Sequence, residues 1–188
     1  MNGRKIFSYI RYFAYIASFI MKFFPNFLTL FLWDLVSIFD NKLFVFIRYC
    51  LVRSKAKKCG DNIFIGKNVT IKYMESLDLG DNISIHNNCY IDASGGVTIQ
   101  DNVSVAHNST ILSSSHTWED ENIAIKYNPP KFLMTRIESN VWMGCGVRIM
   151  GGVIVGKNTI IGAGAVCTKS LVGGSVYAGV PAKRIKTI

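Results

Sequence analysis

Residues 137–172 read IESNVWMGCGVRIMGGVIVGKNTIIGAGAVCTKSLV, and they repeat in sixes. Ile137, Met143, Ile149, Val155, Ile161 and Cys167 fall on one phase. Val141, Val147, Val153, Ala165 and Leu171 recur four places after it, with Thr159 the one polar member of that set. Gly144, Gly156 and Gly162 directly follow the phase residue, where glycine is expected to allow a turn. A six-residue period fits neither plain strand alternation nor the 3.6-residue helix. It fits a flat coil of very short strands and turns that stacks on itself, each face turning one apolar side chain inward.

The same period extends toward the N-terminus. CGDNIF, IGKNVT and IKYMES open at Cys59, followed by LGDNIS, IHNNCY and IDASGG. The phase slips at Gly95-Gly96 and resumes as IQDNVS, VAHNST and ILSSSH. Asn62, Asn68, Asn82 and Asn102 recur at one place in these hexads. Asparagine tolerates the left-handed backbone and bonds its own main chain, so this place reads as a repeated corner. Residues 113–136, SSSHTWEDENIAIKYNPPKFLMTR, break the pattern, and long unpatterned loops in compact folds tend to carry function. After Leu171 comes a Gly-rich, basic tail, residues 173–188.

Composition divides the chain at about residue 58. The 188 residues carry a net charge of +9. Residues 1–58 hold ten Lys and Arg against Asp34 and Asp40, a net +8, and ten of the twelve Phe. Such a split implies two parts with different surroundings. Residues 2–24 read as a helix with a narrow polar stripe, Arg4, Ser8, Arg11, Tyr15, Ser18 and Lys22, and a wide apolar arc. The uncharged run between Arg11 and Lys22 is far shorter than the roughly 20 residues a bilayer span needs, and no signal-peptide cleavage site follows it. Asn26 is expected to cap a second helix over 27–39, and Asp40 a third over about 41–55. The basic run Arg53, Lys55, Lys57 and Lys58 follows. Two readings stand for this appendage: it lies on an anionic inner-membrane surface, or it packs on the coil or on partner subunits. Five cysteines, an odd number without a CxxC, argue against a disulfide framework and fit a reducing cytoplasm. Cys59, Cys89 and Cys167 fall on apolar positions of the hexads and read as core.

The hexads, the HTWED loop, NVWMGCGV, IGAGAVCTKSL and AGVPAKRIK together resemble the hexapeptide-repeat acyltransferases, and among them the sugar and bacterial surface-polysaccharide O-acetyltransferases. The resemblance covers about residues 59–188. It implies a mainly β chain, a left-handed parallel β-helix with an N-terminal helical appendage. It also implies a homotrimer with active sites between subunits, acetyl-CoA as donor, and a sugar or a capsule, O-antigen or exopolysaccharide acceptor. No metal and no nucleic-acid partner is expected.

Transfer of acetyl to a hydroxyl needs a base for the hydroxyl proton and donors for the oxyanion. Histidine suits the first task, with an unperturbed pKa near 6.5. His116 stands at the position of the family's catalytic histidine, with Glu119, Asp120, Glu121 or a backbone carbonyl as candidates to orient it. His86 and His107 fall on turn or outward positions and read as structural. By resemblance Asn87, and less closely Asp92, would hold the acceptor. The donor would lie along Trp142, Gly144, Cys145, Ala163, Gly164, Thr168 and Lys169, with Lys183 and Lys186 near its phosphates. Cys145 stands where relatives more often carry a small polar residue, and nothing near it in sequence would activate a thiol.

Three other readings compete. A metal enzyme on the same coil would need an H-x4-H pair, whereas His107 and His116 are nine apart. A non-catalytic trimeric scaffold is opposed by His116, Thr168 and Lys169. An N-acyltransferase acting on an amino sugar stays open. The expected location is cytoplasmic, with peripheral attachment at the membrane face as a further expectation.

Overall fold

A computed structural model describes the backbone from Gly3 to Ile188, with side chains from Phe7 onward. Asn2, the expected start of the first helix, and the Arg4 side chain of its polar stripe lie outside the described residues.

From Lys58 onward the chain winds into a left-handed parallel β-helix of about six turns. Each turn lays one short strand on each of three faces. The first face stacks Lys58–Cys59, Leu77–Leu79, Val97–Ile99, Thr135–Ile137 and Ile154–Val155. The second stacks Phe64–Ile65, Ser84–Ile85, Ser104–Val105, Val141–Met143, Thr159–Ile161 and Ser175–Ala178, and the C-terminal strand Lys183–Thr187 pairs antiparallel on its edge. The third stacks Thr70–Lys72, Tyr90–Asp92, Thr110–Ile111, Arg148–Ile149 and Val166–Cys167. The tail read as Gly-rich and basic is therefore ordered as two strands.

All six phase residues of 137–172 are fully buried, as are Val147 and Ala165. Thr159 is buried too, and its hydroxyl donates to the Gly156 carbonyl at 2.6 Å, which removes the cost of a polar core position. Asn62, Asn68, Asn82, Asn88, Asn102, Asn108, Asn140 and Asn158 all adopt the left-handed conformation, with φ between 53° and 60°. The asparagines thus occupy the repeated corner, as their spacing implies. The glycines after the phase residues do a different job from the one expected. Gly144 does not have positive φ; a Cβ there would meet the Ala163 nitrogen of the next turn at 2.6 Å. Its side chain is excluded by close stacking, and the turn conformation is carried two residues later by Gly146.

The excursion is closed at its base. Ser114–Ser115 pairs antiparallel with Lys131–Phe132, and the coil resumes at Thr135, two residues earlier than the hexads alone indicate. Inside it, Asn128 is buried: its amide donates to the Asp120 and Ile123 carbonyls and accepts from the Asp120 N–H.

Three helices precede the coil: α1 (Gly3–Lys22), α2 (Asn26–Ser37) and α3 (Lys42–Lys55). Both expected caps move by one residue. Pro25 precedes α2 and Asn26 is its first residue, without a capping bond. Asn41, not Asp40, caps α3 by accepting the Phe44 N–H at 3.2 Å. The α3 segment closes the open end of the first turn. Tyr49, Cys50, Leu51 and Val52 are buried in a cluster that continues into the coil. Arg48, also fully buried, donates to the Ile65 carbonyl of the coil and to the Val36 and Phe39 carbonyls at the end of α2. Burial pulls its guanidinium below the ordinary value, with the Asp40 charge opposing.

The polar stripe of α1 turns toward the coil. Tyr15 donates to Asp61 at 2.8 Å, Arg11 lies 3.9 Å from the same carboxylate, and Ser18 is buried, bonding the Ala14 carbonyl. Part of the basic run is consumed in packing as well. Arg53 donates to the Cys59 and Gly60 carbonyls, and Lys55 to the Phe24 carbonyl just after α1. No helix among the described residues is long and apolar enough to cross a membrane.

Candidate active site

The hexads stack equivalent residues into columns, so each corner of the coil is a ladder of side chains. At the corner between the second and third faces, Asn88 N–H donates to Lys67 O, Asn108 N–H to Asn87 O, Gly146 N–H to His107 O, and Gly164 N–H to Cys145 O. These bonds place Lys67, Asn87, His107, Cys145 and Ala163 in one column. The neighbouring column is left-handed throughout. It runs Asn68, Asn88, Asn108 in the lower turns, then Gly146 and Gly164 in the upper ones, both at φ 69°. The change from Asn to Gly strips side chains from the upper half of the corner. A Cβ added at Gly164 would meet nothing within 4 Å. The result is a bare notch in the ladder of side chains, at Gly146 and Gly164, beside Cys145 and Ala163.

Lys183 stands at the top of this corner, because it pairs with Ala178, which backs onto Gly162. Lys186 pairs with Val176, farther along the second face. Trp142 is on that face too, its ring half exposed between Ser104 and Ile160. Thr168 and Lys169 are elsewhere. They follow Val166–Cys167 and occupy the far end of the third face, where Met150 N–H donates to Cys167 O. The left-handed turn at Gly164 and the whole of the strand Val166–Cys167 separate Ala163 from Thr168. The donor candidates therefore fall into two groups, one at each end of the third face.

The far end also holds Asp92 and the segment leading to His116. Ser114 Oγ donates to Asp92 Oδ2 at 2.7 Å, the Ser94 N–H donates to Oδ1 at 3.1 Å, and Ser113 Oγ donates to the Asp92 carbonyl. His116 is exposed, two residues beyond Ser114. Among the described residues no hydrogen bond or ion pair joins its ring to Glu119, Asp120 or Glu121. Asp120 instead accepts from Asn122 within the loop. Asn87 is at the other corner, beneath His107, and its Oδ1 accepts the Lys67 N–H at 3.0 Å. His86 and His107 are both exposed, as their turn positions imply. Among the described residues no three His, Cys, Asp or Glu are grouped so as to hold a metal ion.

Sequence reading missed the serines that tether Asp92. The run Ser113–Ser115 looks like a plain linker, and only the return of the chain one turn later brings it against residue 92. Burial alone would raise the Asp92 carboxyl. The bonds from Ser114 and Ser94, with Lys72 nearby, outweigh burial and hold it below the ordinary carboxylate value. A depressed folded-state value stabilises the fold above the unfolded value, and that contribution is lost as pH falls through the folded one. The melting-temperature gap between the wild type and Asp92→Asn should be widest near pH 7 and close below about pH 4. A gap independent of pH would show that the tether does not depend on charge.

Residues 134–169 match the family model "bacterial transferase hexapeptide (six repeats)", and residues 58–93 match "hexapeptide repeat of succinyl-transferase". Two separate stretches of the chain thus match hexapeptide-repeat models. A galactoside O-acetyltransferase of Lactococcus lactis is 49% identical over 45 residues, 24% of this chain and 22% of that protein. A 2,3,4,5-tetrahydropyridine-2,6-dicarboxylate N-acetyltransferase of Staphylococcus aureus is 45% identical over 58 residues, 31% of this chain and 24% of that one. The matched stretches thus span about a quarter of the length of the curated relatives. Among solved structures, a galactoside acetyltransferase in complex with coenzyme A superposes with a TM-score of 0.72 at 26% identity, covering 97% of this chain and 82% of that one. Hexapeptide repeats are thus matched at both ends of the coil, and the likeness to that structure runs through the helices as well.

Proposed function

We propose that this hexapeptide-repeat protein is an acetyl-CoA-dependent O-acetyltransferase acting on a hydroxyl of a sugar or surface polysaccharide. The observation that carries the reading is the Asn-to-Gly change along one corner of the coil. It opens a side-chain-free notch that a slender chain such as pantetheine can follow, with main-chain groups of residues 145–146 and 163–164 beside it. The bound donor supplies a thioester carbonyl. Lys183, and farther out Lys186, would meet its phosphates as point charges, and Trp142 offers an apolar ring along the same face.

His116 is assigned as general base. Its ring nitrogen takes the acceptor hydroxyl proton as that oxygen attacks the thioester carbon, and main-chain N–H groups stabilise the oxyanion. The proton then returns to the departing sulfur. Asp92 and Asn87 are assigned to the acceptor, and Thr168 and Lys169 to the outer part of the donor path. Within one chain His116 and the notch stand at opposite ends of the third face. That separation supports a homotrimer in which the base of one subunit serves the notch of the next. The loop itself fits such a contact: it is braced from within by Asn128 yet leaves Trp118, Ile125, Tyr127 and Phe132 largely exposed. Residues 1–58 would form the appendage that locates the enzyme, in the cytoplasm at the inner membrane face.

A substitution borrowed from the protein's own lower turns tests the notch. Gly164→Asn restores at the upper corner what Asn68, Asn88 and Asn108 provide below, and asparagine tolerates the left-handed conformation. The melting temperature should barely change, while coenzyme A affinity measured by calorimetry falls at least about tenfold. Unaltered affinity would remove the notch from the donor site. N-acylation of an amino sugar is the second reading, favoured by the N-acetyltransferase similarity. Paired acceptors that differ only in hydroxyl or amine at one carbon separate the two.

A further inference from the structure

The helix α1 is apolar on two opposite sides. Phe7, Ala14, Ala17 and Met21 pack on the core. Tyr9, Tyr12, Phe13, Ile16 and Phe19, with Phe23 just past the end of the helix, face away from it and are largely exposed, Phe13 at 70% and Phe23 at 73%. At about 3.6 residues per turn these outward residues form one continuous arc covering roughly a third of the circumference. The polar stripe with Arg11 and Lys22 runs along one edge of that arc. An uninterrupted exposed arc of large aromatic residues marks an interaction surface rather than scattered surface apolarity.

Charge distinguishes the occupants. The helical unit carries a net +8 against Asp34 and Asp40 only, and Arg11, Lys22, Lys42, Lys57 and Lys58 are exposed. A second copy docked arc to arc would press two strongly basic units together. An anionic lipid surface complements them, and it accepts tyrosine and phenylalanine at headgroup depth while lysine and arginine reach outward. The outward side of α2 differs, because Asp34 lies among Leu30, Phe31 and Leu35 and a carboxylate there opposes insertion.

We propose that α1 lies flat in the headgroup region of an anionic membrane, its Tyr9–Phe23 arc down, and holds the coil at the surface through α3. This deepens the membrane-side placement proposed above, and it stands on the geometry of α1 independently of the transfer reaction. Because α3 seals the end of the coil, deleting the helices would also expose the core, so the test uses outward-facing substitutions. The full chain and the double variant Phe13→Ser/Phe19→Ser are co-sedimented with vesicles of phosphatidylcholine alone and of phosphatidylcholine with phosphatidylglycerol. The wild type should partition onto the anionic vesicles, less so at raised salt, and the double variant should lose at least about tenfold of that partitioning. Mass by light scattering and acetyl transfer to a soluble sugar should be unchanged in the variant. No partitioning by the wild type, equal partitioning by the variant, or a fall in the variant's mass would each overturn the proposal, the last by showing that the arc covers another copy. Vesicle binding by a protein that transfers no acetyl group would sustain it while ending the enzymatic reading.

Discussion

Replacing His116 by alanine is expected to lower kcat by about a hundred- to ten-thousand-fold, the range contributed by a positioned general base, while coenzyme A binds as before. The split follows from geometry. The bare notch and Lys183 stand at the corner between the second and third faces, and the His116 loop leaves the coil at the other end of the third face. Removing the imidazole therefore leaves the notch intact. Steady-state transfer to a soluble sugar, with calorimetry for coenzyme A, separates the two quantities. Turnover within a factor of two of wild type would reduce His116 to a surface residue. A parallel loss of coenzyme A affinity would mean that the loop braces the donor site rather than supplying the base. Asp92 gives a graded companion. Its bond from Ser114 ties residue 92 to the strand that launches the loop, so Asp92→Asn tests the proposed acceptor contact and the loop's anchorage together.

Arg48→Met should lower stability by about 3 kcal/mol, since buried acceptors left without donors cost about 1–3 kcal/mol each. For a chain of this size that is a fall of roughly 6–12 °C in melting temperature. Methionine keeps most of the volume, so the loss isolates the polar contacts. Three carbonyls, of Ile65, Val36 and Phe39, would lose their donor. Relief of the buried charge, and of Arg48 Nη2, which is buried without a hydrogen-bond partner, works the other way and holds the loss at the low end of the range for three acceptors. Hydrogen exchange should speed up first at the end of α2 and along Ile63–Ile65. A melting temperature within a degree or so of wild type would show that water replaces the guanidinium and that α3 caps the coil by apolar contact alone.

The corner asparagines and the core are legible in the hexads because each position of a stacked coil meets the same surroundings once per turn. Residues 137–172 declare their buried set without tertiary information, down to Thr159, whose hydroxyl is satisfied three residues away. Position within the repeat does not reveal why a glycine is needed. Gly144 and Gly146 look equivalent in the string, yet the first is fixed by the backbone of the next turn and the second by its left-handed φ. The helices show the complementary limit. A wide apolar arc on α1 is visible in sequence, but one side chain pattern cannot say which part of the arc is covered by the protein. Tyr15 and Arg11 resolve that by turning the polar stripe to Asp61.

The sequence by itself determined the coil, its period, its core and the two breaks at Gly95-Gly96 and 113–136, since all of these are local periodicities. Only the tertiary structure decided that Asn87, Cys145 and Ala163 share a column, that Asp92 is tethered by Ser114, and that His116 and the notch lie at opposite ends of a face. Those relations join residues eighteen or more positions apart, and they are set by how many residues each turn consumes. The tract 137–172 thus supplies the notch, while its place relative to His116 depends on stacking that no single turn encodes.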